Sequence, residues 1–219
     1  MVGRSTARAG RSGKKPAKTR RIASRGGDRT RARILAAALR VFAEDGFDGA
    51  TTRRIAARAR VNLGLITYYF GSKEQLWRAA VNRVFDALWT ALASVDLSAD
   101  PARVLRTCVR FVAANPDFVR LMNDEGKREG PRMRWLADRH NKRLFQLVTT
   151  ALESAGGQRR VPHVEPMHLF YILIGSVGMI FSQAPECRRL TGVDPTATEG
   201  VAEAHADALV RLFLGRRWT

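Results

Sequence analysis

The sequence predicts an all-α protein of about nine helices, and three observations predict it. Apolar residues recur at helical spacing from residue 28 almost to the end. No segment alternates as a half-buried strand requires, and Asp100, Asn115, Gly130 and Glu165 each precede a proline placed for a first helical turn. With 219 residues, 45% of them hydrophobic, the chain is long enough for one or two domains with their own cores.

Residues 1–27 carry no acid, have only Val2 and Ile22 as large apolar residues, and include Gly3, Gly10, Gly13, Pro16, Gly26 and Gly27. They lack the apolar face of a mitochondrial transit peptide and are expected to be a disordered, solvated basic tail. From Asp28, the residues Ile34, Leu35, Ala38, Leu39 and Phe42 form one apolar stripe, which Gly46 stops. Thr51 or Thr52 caps a second, short helix with Ile55, Ala56 and Ala59 inside and Arg53, Arg54, Arg58 and Arg60 on the other face. Asn62 caps a third through Phe70, with Ile66 and Phe70 turned inward, and Gly71 ends it. Ser72 and Gln75 have capping-box spacing and open a longer helix bearing Leu76, Trp77, Ala80, Val84, Phe85, Leu88 and Leu92. Helices then start at Pro101, Pro116, Pro131 and Pro166; Gly156 and Gly157 end the third of these, and Pro185 the fourth. The last helix runs from about Thr198 to Leu214. The longest apolar run, Leu169 to Phe181, falls short of the ~20 residues that cross a bilayer and reads as a buried helix, so no membrane segment is expected.

Charge divides the chain. The 38 Lys+Arg and 20 Asp+Glu leave a formal +18, of which residues 1–28 hold +8, residues 29–83 hold +7 and the rest only +3. A basic front and a near-neutral remainder point to a polyanionic partner for the front alone. No acid lies between Gly49 and Lys73, so a phosphate backbone meets no like charge there. Three short helices in about 45 residues, two of them joined by a tight turn, make a helix-turn-helix arrangement; the competing reading is a helical hairpin with a solvated basic face. Cys108 and Cys187 form no C-x-x-C pair, which suggests a reducing, cytoplasmic setting and no cysteine zinc site. His140, His163, His168 and His205 show no H-E-x-x-H spacing, and His163, Glu165 and His168 straddle Pro166. No G-x-S-x-G, Walker A or G-x-G-x-x-G occurs. No metal, cofactor or enzymatic activity is expected.

The stretch AAALRVFAEDGFDGATTRRIAARARVNLGLITYYFGSKEQLW resembles the N-terminal domain of TetR-family transcriptional regulators. Phe42, Gly46-Phe47, Thr51-Thr52, Ile55-Ala56, Val61, Gly64 and Tyr69-Phe70-Gly71-Ser72-Lys73-Glu74 carry the likeness, over about residues 29–80. The resemblance implies a helix-turn-helix domain over 28–75 and a ligand-binding and dimerisation domain over 76–219. In it Thr51 and Thr52 would meet phosphate, and Arg53 a base or phosphate, although Arg54 is an alternative outward-facing side chain. Asn62, Leu63, Gly64, Leu65, Thr67, Tyr68 and Tyr69 would span the recognition helix, with Lys73 on the DNA backbone at the next helix start. Leu63 and Leu65 stand where many members have polar residues, so they would either meet thymine methyl groups or, for Leu65 above all, pack inward. Arg20, Arg21 and Arg25 would reach a minor groove or flanking phosphates.

The same resemblance implies a pocket for a hydrophobic or aromatic effector, with Phe111, Phe118, Met122, Trp135, His140, Phe145, Phe170 and Ile174 as candidate lining and Asn123, His140, Asn141 and Gln146 as possible polar anchors. It also implies a homodimer joined through the last two helices, with Leu173, Gly175, Ser176, Gly178, Phe181, Ala208 and Leu212 at the interface. The long helix from Ser72 would connect the domains. The expected function is a ligand-released repressor on a pseudo-palindromic duplex; the rivals are a nonspecific nucleic-acid-binding protein acting through its tail and a helical small-molecule enzyme.

Overall fold

The computed structural model describes residues 17–96, 99–156 and 164–215, with no strand among them. In chain order the helices are α1 (Ala17–Gly49), α2 (Thr52–Ala59), α3 (Leu63–Phe70), α4 (Lys73–Leu92), α5 (Pro101–Ala114), α6 (Pro116–Glu125), α7 (Pro131–Leu136), α8 (Lys142–Gly156), α9 (Pro166–Ser182), α10 (Ala184–Thr191) and α11 (Val201–Leu214). The expected all-α class is found, with two additions. Pro185 opens α10 instead of merely closing α9, because the chain breaks at Gln183 and a proline is tolerated in the next first turn; α9 and α10 meet at a 75° bend. The expected single segment from Pro131 is interrupted by a π-helical turn, Ala137–Asn141, between α7 and α8.

Helix α1 begins at Ala17, not near Asp28, so residues 17–27 of the expected disordered tail are helical. Gly26 and Gly27 fail to break it: good helix formers flank them, and the Thr30 hydroxyl donates back to the Gly26 carbonyl at 3.0 Å. Residues 1–16, and the side chains of Arg20, Arg21 and Arg25, lie outside the described residues, as do Gly157 and His163. The far end of α1 kinks at Gly46 (φ 67°), where a side chain would be strained and would also come within 3.2 Å of Asp124 Oδ2.

Local caps set the short helices. The Thr51 hydroxyl accepts from the Arg54 amide at 3.1 Å and Asn62 Oδ1 from the Gly64 amide at 2.8 Å. At α4 the Ser72 hydroxyl accepts from the Gln75 amide at 3.1 Å, which is the serine half of the expected capping box. Asp100 caps α5 through the Arg103 amide at 2.9 Å.

One core runs from Ile34, Phe42, Ile55 and Ile66 through Trp77, Phe85 and Leu88 of α4 to Phe111, Phe118 and Leu136. The N-terminal helices and α5–α7 are therefore packed together around α4, and α6 lies against α1. A second cluster, Val109, Val177, Phe181, Ala206 and Leu209, joins α5, α9 and α11. There Gly178 permits close approach, since a Cβ on it would meet Val119 Cγ1 at 3.0 Å.

Candidate nucleic-acid interface

The basic side chains between Arg29 and Arg83 are not equivalent. Arg54 pairs with Asp45 and, at 2.8 Å, with Glu44, while Arg58 reaches Glu44 at 2.6 Å. Arg33 donates to the Ala59 and Arg60 carbonyls at 2.6 and 3.0 Å, and Arg83 to the Ala32 carbonyl at 2.6 Å. These arginines fasten α1 to α2 and α4. Arg53, by contrast, is exposed and has no partner among the described residues, which decides between it and Arg54 as the outward guanidinium.

The exposed side chains around Arg53 are Thr51, Asn62, Leu63 (41% accessible), Thr67 and Tyr68 (78%), with Gly64 exposed between them. Their caps leave donors over: the Thr51 O–H and the Asn62 side-chain N–H group still face outward while their oxygens hold helix amides. Thr52, at the first turn of α2, is half-buried. Leu65 and Tyr69 are half-buried and packed against the core, Leu65 therefore taking the inward of its two readings. The Tyr69 hydroxyl stands close to Gly27, where an added Cβ would meet it at 3.4 Å. Lys73 differs from expectation. Its ammonium donates to the Phe47 and Ala50 carbonyls at 2.8 and 3.0 Å and sits 4.5 Å from the Phe47 ring centroid, so it latches the end of α1 and has little left to offer a phosphate.

Behind this face lies a cavity of about 500 Å³. Phe111, Phe118, Met122, Phe170 and Ile174 line it as expected, together with Phe85 and Leu88 of α4, and Asn123 and Asn141 are also on its wall. Trp135, His140 and Phe145 are not. The π-helical turn rotates His140 into the core, where its ring stacks on Phe85 at 4.1 Å and Nε2 lies 2.8 Å from Asn82 Oδ1. Trp135 packs edge-on to Trp77, and Phe145 packs on Phe170 from outside the lining. Gln146 is exposed and outside it too. Burial, and secondarily the Arg139 charge, lower the His140 pKa to about 4 against opposition from Asp86. An unfolded histidine titrates near 6.5, so the unfolded chain takes up more protons between about pH 6.5 and pH 4, and stability falls as pH falls through that window. Thermal unfolding followed across it is expected to show this loss in the wild type and a shallower one in His140→Phe; parallel curves would contradict the assignment.

The α9–α11 side presents a different surface. Met167, Tyr171 (70% accessible), Ile172 and Met179 on α9 and Leu212 (78%) on α11 are exposed in the single chain. Of the expected interface residues, Phe181 is fully buried and Gly178 faces α6, because the second core cluster turns that edge of α9 inward. Leu173 and Gly175 border the cavity, whereas Ser176 and Ala208 are half-buried. His205 Nε2, 2.7 Å from the Ser176 carbonyl, ties α11 to α9.

Residues 34–80 match the family of bacterial regulatory proteins described as the tetR family. Through this domain the chain is similar to TetR-family regulators. It is 37% identical over 108 residues to the transcriptional repressor NicS of Pseudomonas putida, a stretch covering 47% of this chain and 51% of NicS. It is 37% identical over 89 residues to the transcriptional regulator BetI of Burkholderia ambifaria, covering 40% and 44%. The chain thus spans about half the length of the curated relatives it matches. Among solved structures, a Clostridium perfringens protein assigned to fatty acid metabolism regulation matches with TM-score 0.67 at 18% identity, over 84% of this chain and 97% of that one. AibR, solved in complex with isovaleryl coenzyme A and operator DNA, matches with TM-score 0.64 at 22% identity, over 85% and 98%. At these identities the neighbours establish the fold alone, an all-helical architecture shared over 84–85% of this chain. No single helix among those residues is long and apolar enough to cross a membrane.

One junction was not legible in the sequence. Arg132 of α7 bonds Glu125, a carboxylate only 3% accessible at the end of α6, at 3.1 and 3.2 Å, and lies 3.9 Å from the centroid of Phe47 at the end of α1. Arg128–Asp48 at 3.3 Å and Arg40–Asp117 at 3.4 Å run alongside. The dense charge run from Asp124 to Arg132 was the available signal; its partners are 80 residues away and no local pattern names them.

Proposed function

We propose that this chain is a ligand-responsive DNA-binding repressor that acts as a homodimer, with residues 28–75 as the reading domain and 76–219 as the effector and dimerisation domain. The observation that carries the reading is the acid-free face of α2 and α3, on which Arg53 stands unneutralised while its basic neighbours are engaged internally. Relatives of this domain include the repressor NicS, and the fold neighbour AibR binds operator DNA. Phosphate contacts from Thr51, Thr52 and the helix ends would set register; Arg53, Asn62, Leu63, Thr67 and Tyr68 would meet base edges or methyl groups in the major groove.

The exposed apolar strip of α9 and α11 supports a twofold partner, since a row of large apolar side chains left in water favours association. A twofold axis there would space two α3 helices by about one turn of duplex, ~34–36 Å. Leu212→Glu is expected to convert the dimer to monomer in sedimentation experiments and to cost most of the duplex affinity; an unchanged dimer would move the interface elsewhere.

Coupling has a physical route. Phe85 and Leu88 of α4 and Phe118 and Met122 of α6 line the cavity, and the same two helices carry the reading domain's packing and the Glu125–Arg132–Phe47 contact. An effector that favours one arrangement of α4 and α6 would bias the separation of the reading domains. The experiment is selection from a random duplex pool. An inverted repeat supports this function, and salt-sensitive binding without sequence preference overturns it.

A further inference from the structure

The cavity wall is almost wholly apolar, but its polarity is one-sided. Lys127, just beyond the end of α6, is its one residue with a cationic side chain, exposed at the rim beside Asn123 and Gly126, and no Asp or Glu lines it among the described residues. Of the acids nearest in sequence, Asp124 pairs with Arg128 at 3.4 Å, Glu125 pairs with Arg132 at 3.1 Å, and Glu129 is exposed; none of them lines the cavity, and the Lys127 ammonium has no hydrogen bond or ion pair among the described residues. Cys108, also on the wall, stays a neutral thiol, its pKa pushed up to about 11 by burial. Asn123 and Asn141 add amide donors. A buried apolar body with one cation and neutral donors at its edge is complementary to a molecule that is hydrocarbon over most of its length and negative at one end.

We infer that the cavity takes an amphipathic carboxylate, its hydrocarbon body between Phe111, Phe118, Leu88 and Phe170 and its charged end on Lys127. This rests on the ligand-responsive reading above and narrows it. A cation would meet the Lys127 charge with no acid on the cavity wall to offset it, and a neutral body would leave that charge unused. The placement also puts the anion on the segment that follows α6, two residues beyond Glu125, so ligand charge and interdomain contact lie on the same short stretch of chain.

The test is calorimetric titration of the full chain with decanoate, decanol and decylamine, and with 2-naphthoate and 2-naphthylmethanol, each repeated on Lys127→Met and Lys127→Arg. The inference predicts that at least one carboxylate binds about tenfold more tightly than its alcohol, that the amine is weakest, that Lys127→Met abolishes the carboxylate's advantage while alcohol binding stays within about twofold, and that Lys127→Arg keeps it. The naphthyl arm separates an aromatic from an aliphatic body. The inference is overturned if the alcohols or amine bind as well as the acids, if Lys127→Met leaves the advantage intact, or if none of the panel binds. Decanoyl coenzyme A binding where decanoate does not would also overturn it. Release of the selected duplex is read on the same samples: carboxylate binding without release upholds the ligand class and contradicts the ligand-responsive function instead.

Discussion

Arg53→Ala is expected to weaken binding to the duplex selected by the wild type by about 1–3 kcal/mol while leaving the folded domain intact. The reasoning is geometric. Arg53 makes no side-chain hydrogen bond or ion pair among the described residues, so its removal strands no polar partner inside the protein, and its helix keeps the Thr51 cap. Arg54→Ala is the internal control. That guanidinium is bonded to Glu44 and Asp45, so its loss should loosen α1 against α2 and leave Asp45 uncompensated near the reading face, while Glu44 keeps Arg58. Fluorescence anisotropy at several salt concentrations distinguishes the roles: a guanine-reading Arg53 relaxes base preference at one position per half-site, whereas a phosphate-only role weakens all duplexes alike and lowers the salt slope.

Arg132→Met should destabilise the chain by about 3 kcal/mol, because it removes the one ion-pair partner, among the described residues, of a carboxylate that is 3% accessible. The surrounding contacts identify the cause. If the unpaired Glu125 charge is responsible, Glu125→Leu combined with Arg132→Met restores most of the lost stability, as replacement of a buried ion pair by apolar residues often does. Denaturant unfolding of the wild type, both single variants and the double variant forms the cycle. The double variant carries a second readout, for it also removes the guanidinium stacked on Phe47. Wild-type stability with impaired ligand release of DNA would place the junction on the coupling route; stability and response both restored would make it a structural clamp only.

What the sequence disclosed follows from the range of the forces involved. Caps at Thr51, Asn62, Ser72 and Asp100 act within three residues, so the pattern alone located α2 to α5. The apolar stripes of α1 and α4 likewise named Ile34, Phe42, Trp77 and Phe85 as core. The misplacements arise where a nonlocal contact outweighs a local preference. Lys73 sits at a helix start where phosphate contact is plausible, yet three carbonyls at the kinked end of α1 lie within its reach. His140 reads as a polar anchor on a regular helix and is turned inward by a π-helical turn that no residue pattern announces. Gly175, Ser176 and Gly178 share a small-residue signature, but Gly178 makes room for Val119 within the chain while Gly175 has open space beside it. Lys127 and Arg132 drew no attention as two more bases in a basic protein; the pairing of their neighbours gives them distinct places.

If, as we propose, the α2–α3 face reads base edges in the major groove once per protomer, single-atom changes in the duplex must register there. The most direct measurement substitutes single atoms of the selected duplex: 7-deazaguanine for each guanine and uracil for each thymine, with affinity measured at every position. Losses are expected at symmetry-related positions of both half-sites, the guanine losses vanishing in Arg53→Ala and the thymine-methyl losses in Leu63→Ala. Affinity indifferent to every such substitution, or losses unaffected by either variant, would contradict it.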